Sequence, residues 1–222
     1  MTSSEFGPPL SPSVRHDFLV LARSVPALLR DPAVEAAWAG PSALAEFGVG
    51  ALAGHLAYQI LSVPEALAAP VPEEPVVSLL GHYERVEWIG AGLDDEISVR
   101  IRSGGEQDAA VGPHALADRV DSAVAESAVA LAAAGNRPVR IGLWGPWSLR
   151  LDDFLTTRMM EIAVHSDDLA VSTGIAAPVL PPSATDTVID LLARLAARRH
   201  GPTAVLRALS RAERAPGTIA AF

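Results

Sequence analysis

The segment FLTTRMMEIAVHSDDLAVSTG, opened by Asp152 or Asp153 and ended by Gly174, constrains this chain more than any other. Read as a helix, it stacks Phe154, Arg158, Glu161, His165 and Asp168 in one stripe at spacings of three and four. Leu155, Met159 and Ile162 flank the stripe on one side, and Met160 and Val164 on the other, so the ionisable groups do not share an open solvated face. Such a helix needs neighbours that cover it, and its buried carboxylate and imidazole need partners.

Apolar periodicity elsewhere supplies neighbours of the same kind. Phe18, Leu21, Val25, Leu28 and Leu29 mark a helix from Val14 to Leu29, stopped by Asp31-Pro32. A second helix, capped by Ser42 with Glu46 near its start, runs through FGVGALAGHLAYQILSV to Pro64, and its glycines point to close packing. The stretch PEALAAPVPEEP reads as a loop, Val76 to Trp88 as helical and continuing toward Arg102, and Gly104-Gly105 as a break. Pro113 to Ala134 forms a long helix with Leu116, Val120, Val124 and Val129 as its apolar positions. PVRIGLWGPWSLRL alternates and carries a turn signal at Gly145-Pro146, as a short β-hairpin does. After the link APVLPPS, helices over 185–200 and 203–213 close the chain, while the opening MTSSEFGPPLSPS is expected to be loose. The fold class is mainly α, with one principal core in residues 1–182 and residues 183–222 as a packed helical appendage.

Composition narrows the chemistry. There is no cysteine, which excludes disulfides, thiolate ligands and a protein-borne sulfur nucleophile, so any thiol must be imported. All 17 basic residues are arginine, which excludes a lysine Schiff base. A net charge of -9 argues against nucleic acid as a partner. With no apolar run of about 18 residues and no leader-like start, no membrane association is expected, and the expected location is cytoplasmic.

His55 lies beside Leu52, Leu56 and Gln59 on the apolar face of the second helix. Glu161 and His165, at i and i+4, reach a common point, as metal-binding pairs in helical bundles do. The residues alone leave two readings open. In one, His55, Glu161 and His165 form a metal site; in the other, Glu161 and His165 bond each other and His55 is a satisfied core histidine. His82 and His114 read as surface or capping histidines, and the arginines of the closing segment (Arg194, Arg198, Arg199, Arg207, Arg211, Arg214) as a solvated face.

GVGALAGHLAYQ, LDDFLTTRMMEIAVHSDDLA and RRHGPTAVLRALSRAER resemble the mycothiol-dependent maleylpyruvate isomerase-like family of the DinB/YfiT-like metalloenzyme superfamily. The resemblance implies a DinB-like antiparallel four-helix bundle with a divalent metal, most simply zinc, on His55, Glu161 and His165. It also implies an open metal position facing a mycothiol-like thiol cosubstrate, with the thiol used for S-transfer to, or isomerisation of, a small electrophile. Beside such a site Arg158 could clamp a carboxylate or pair with an aspartate such as Asp152 or Asp153, Asp168 could orient a ligand imidazole or be a solvated helix-end aspartate, and Gln59 and Trp144 could line the cofactor pocket or serve a backbone group and the core. The family's isomerase carries a further C-terminal domain near whose start this chain stops, which leaves a non-catalytic metal or small-molecule binding module as the alternative. The chain is expected to act as a monomer or homodimer.

Overall fold

The computed structural model describes residues 13–222, so the expected loose opening, but for Ser13, lies outside it. The described residues form helices α1 (Val14–Leu29), α2 (Pro32–Ala37), α3 (Val49–Ala68), α4 (Leu79–Tyr83), α5 (Glu96–Ala109) and α6 (Pro113–Ala133). A two-stranded sheet, β1 (Pro138–Val139) and β2 (Leu149–Arg150), precedes α7 (Leu151–Thr173), α8 (Pro182–His200), α9 (Pro202–Ser210) and a 3-10 turn at Ala212–Arg214. The fold is therefore mainly helical with one small antiparallel sheet, in register Pro138 to Arg150 and Val139 to Leu149. Among the described residues no helix is long and apolar enough to cross a membrane.

Helix α1 packs on α6 and α7, and α3 packs on the same two, so four helices close a ring around one core. Phe18 of α1, Leu52 and Leu56 of α3, Leu116 of α6 and Phe154 and Leu155 of α7 are fully buried there. Helix α8 lies on α7 and α1, and α9 lies on α8.

The local chemistry departs from the sequence reading at several places. Asp31-Pro32 ends α1 but also starts α2, because Asp31 accepts from Ala33 N at 2.8 Å as N-cap and Pro32 sits at N1. Helix α3 begins at Gly48 rather than Ser42, whose hydroxyl is taken by Leu44 N in a local turn, and it carries Pro64 inside to reach Ala68. The expected helix over 76–102 is only the short α4, a turn-rich connection and the start of α5. In α6, Val129 is 76 % exposed, and the inward face is completed by Ser127 and Leu131.

Gly104-Gly105 does not break a helix; it lies within α5. A Cβ on Gly105 would run into the backbone oxygen of Ala51, and one on Gly54 into the oxygen of Gly105. The two glycines let α3 and α5 approach backbone to backbone, whereas Gly104 next door faces open space.

The hairpin region positions a second edge of the molecule. Ser148 N bonds Pro75 O at 3.0 Å and Val77 N bonds Ser148 O at 2.9 Å, so the chain entering α4 is laid against the hairpin. Arg140 donates to the carbonyls of Gly145 and Trp144, which pins the turn carrying Trp144 and Trp147.

The neighbouring glycines should respond in opposite directions. Gly104→Ala should stabilise the chain by about 0.5 to 1 kcal/mol, the helical cost of glycine, whereas Gly105→Ala should destabilise it by about 1 to 3 kcal/mol through forced separation of α3 and α5. Urea denaturation of both variants compares them directly, and equal effects would contradict the close approach.

Candidate metal centre

Helix α7 holds the stripe as its period demands. Phe154 and Arg158 are buried, and Glu161 and His165 follow with side chains 14 % and 16 % exposed. His165 lies between two carboxylates, its Nε2 3.0 Å from Glu161 Oε2 and its Nδ1 3.0 Å from Asp168 Oδ2. Helix α3 brings His55 opposite, its ring centroid 4.8 Å from that of His165. One ligand atom each from His55, Glu161 and His165 lie within 4.8 Å of one another. Two imidazoles and a carboxylate at that separation form a donor set suited to one divalent cation.

The electrostatics describe the same cluster. Desolvation, helped by the charge of His165, pushes the His55 imidazole down to about 3, so its ring is neutral. Burial by itself would raise the Glu161 carboxyl, but the hydrogen bond and charge of His165, with Arg158 and His55, hold it well below the usual carboxylate range. Burial would likewise lower His165, yet its bonds to Asp168 and Glu161 prevail and raise it. Metal ligands must be deprotonated, so a cation on these residues would displace the proton that Glu161 and Asp168 favour on His165.

Gln59, one turn past His55, is 1 % exposed and joins the two helices. Its Nε2 donates to His55 O at 2.9 Å and lies 3.2 Å from His55 Nε2, while its Oε1 accepts from Arg158 Nη1 at 2.5 Å. Arg158 also donates from Nε to Thr157 Oγ1 at 3.1 Å and lies over the Phe154 ring, 5.3 Å from its centroid. It makes no salt bridge to Asp152 or Asp153; Asp152 pairs with Arg15. Its second terminal nitrogen has no hydrogen-bond partner among the described residues.

A cavity of about 690 Å³ opens above this cluster. His55, Gln59, Trp144, Arg158, Glu161 and His165 all line it, so every candidate except Asp168, which stands behind His165, reaches the same space. Its other walls come from Trp88, Trp147 and Phe222, with Arg100 at one side.

His82 also lines the cavity, which corrects its reading as a surface histidine. It is 2 % exposed and accepts at Nδ1 from Trp147 Nε1 at 3.0 Å, with its ring centroid 4.6 Å from that of Trp144. The hairpin, 65 residues further along the chain, supplies its surroundings, so no spacing around Gly81-His82-Tyr83 signalled it. His114 is exposed and 3.3 Å from Glu35, as a surface histidine should be.

Burial, aided by Arg158, lowers the His82 imidazole to about 3 from 6.5. Because the folded value lies below the unfolded one, this contribution is full above pH 6.5 and is lost as pH falls toward 3. In thermal melts, His82→Phe should gain on the wild type by about 1.4 kcal/mol per pH unit as the solution is acidified through that window. Parallel stability curves would contradict a buried neutral His82.

The family model described as the mycothiol maleylpyruvate isomerase N-terminal domain matches residues 18–170, a span that holds His55, Glu161 and His165. No curated protein and no solved structure matches the chain. The matched span runs from within α1 to the last turn of α7 and covers more than half of the chain, which belongs to the mycothiol maleylpyruvate isomerase N-terminal domain family.

Proposed function

We propose that this chain is a divalent-metal-dependent enzyme that uses a mycothiol-like thiol for isomerisation or S-transfer of a small electrophile. The observation that carries the reading is the His55, Glu161, His165 cluster opening onto a cavity of about 690 Å³, room for a small molecule beside the ligands. A closed structural site would instead be surrounded by protein on all sides. We read the ring of α1, α3, α6 and α7 as a DinB-like antiparallel four-helix bundle within residues 1–182, with residues 183–222 as an appendage to it.

His55, Glu161 and His165 would hold the cation, most simply zinc. When bound, it supplies a Lewis acid that favours the thiolate form of a thiol near neutral pH. The remaining steps belong to the chain's own groups. Asp168 holds His165 by its Nδ1 and so aims Nε2 at the site. Gln59 ties His55 on α3 to Arg158 on α7 and fixes the distance between the two halves of the cluster. The free terminal nitrogen of Arg158 binds an anionic group of thiol or substrate, and the indoles of Trp88, Trp144 and Trp147 keep water from the reacting sulfur. The absence of cysteine in the chain fits a sulfur nucleophile that arrives from outside.

The reading is tested by offering purified, zinc-reconstituted protein mycothiol with a panel of unsaturated acids and other electrophiles, and following thiol and electrophile by mass spectrometry. Turnover should require the metal, and Arg158→Met should lower kcat/KM by about ten- to a hundredfold, the worth of one charge-assisted hydrogen bond. Metal-independent turnover, or none with any thiol, would contradict the enzyme and favour a binding module.

A further inference from the structure

The proposed thiol chemistry makes no use of His82, yet this histidine is among the most constrained side chains in the cavity. An indole nitrogen only donates, so the Trp147 Nε1 to His82 Nδ1 bond at 3.0 Å makes Nδ1 the acceptor. In a neutral ring the proton then sits on Nε2, which can neither accept a hydrogen bond nor ligate a metal. Nε2 has no hydrogen-bond partner among the described residues. It is also not one of the sealed, unpartnered polar atoms, which are the hydroxyls of Ser62, Tyr83, Ser127 and Ser166. An unpartnered atom that is not sealed faces open space, and the space beside His82 is the cavity.

We infer that His82 is a ligand-binding residue whose Nε2–H, held in that tautomer by Trp147, donates to a carbonyl oxygen of a small molecule in the cavity. The chemistry selects the acceptor. A neutral donor on an aromatic wall suits an uncharged amide or keto oxygen, with the planar acyl group resting on the Trp144 indole, whereas an anion is better served by the Arg158 nitrogen. The ligand class is therefore a small molecule carrying both an acyl or keto oxygen and an anionic group. Burial keeps the donor uncharged through the physiological range, so its role does not change with pH there. The hairpin acquires a purpose in the same step: Arg140 pins the turn, and the turn places the indole that sets the tautomer.

The inference rests on the proposed use of this cavity for small molecules, and the test is free of thiol and independent of metal so that the two fail separately. The probe is N-acetylglycine, an amide carbonyl and a carboxylate without sulfur, titrated into protein labelled with 15N-histidine and followed by long-range proton-nitrogen NMR. The free protein should show His82 as the Nε2–H tautomer, and the probe should move that Nε2 signal, in wild type and in Glu161→Ala protein alike. His82→Phe should bind the probe about three- to tenfold more weakly, the worth of one neutral hydrogen bond, and His82→Gln, which keeps a donor at the Nε2 position, should recover most of the loss. An Nδ1–H tautomer, an Nε2 signal that no concentration of probe disturbs, or equal affinity in His82→Phe would overturn it. An unmoved signal would mean that the N–H is spent on the Trp144 ring.

Discussion

A carboxylate taken out of water is the constraint around which this molecule is organised. Glu161, on a helix whose Leu155, Met159, Met160 and Ile162 are all buried, has a side chain only 14 % exposed, and an uncompensated charge there would cost about a few kcal/mol. Its compensation comes from His165 and Arg158, both on its own helix, with the His55 ring facing His165 from α3. Helix α3 is tied to α7 by Gln59, bonded at once to His55 and Arg158. The close approach of α5 to α3 through Gly54 and Gly105 then completes the wall beside His55.

From that cluster a continuous run of contacts leads through the cavity. Arg158 lies over Phe154, Phe154 meets Trp144 edge-on with centroids 5.7 Å apart, Trp144 packs on His82, and His82 receives the Trp147 proton. Along that run Arg158 is oriented by Gln59 and Thr157, and His82 by Trp147. An apolar space with a few fixed polar groups binds small molecules by orienting them rather than by net charge.

Legibility in the sequence followed the range of the interactions. The α7 stripe, His55 on an apolar helix face, and helices α1 and α6 are periodic patterns within one segment, and each was readable from spacing. Gln59 and Trp144 line the cavity, and Asp168 stands behind His165. What was hidden depended on distant partners. Gly104-Gly105 looks like a helix break until α3 is laid against it, and Asp31-Pro32 reads equally as a stop or a start. Val129 lies on an apolar-looking face that no helix covers. His82, in a five-residue helix, owes its burial and its tautomer to a hairpin far along the chain.

The central claim is that His55, Glu161 and His165 hold one divalent cation. Metal content of the purified protein by inductively coupled plasma mass spectrometry tests it most directly, with His55→Ala and Glu161→Ala beside the exposed His114→Ala as control. The account predicts about one ion per chain in wild type and control and little in the two site variants, as a three-ligand site requires. Metal-free wild type even after reconstitution with zinc, or equal metal in all four proteins, would contradict it and leave the cluster as a hydrogen-bonded pair with a core histidine beside it.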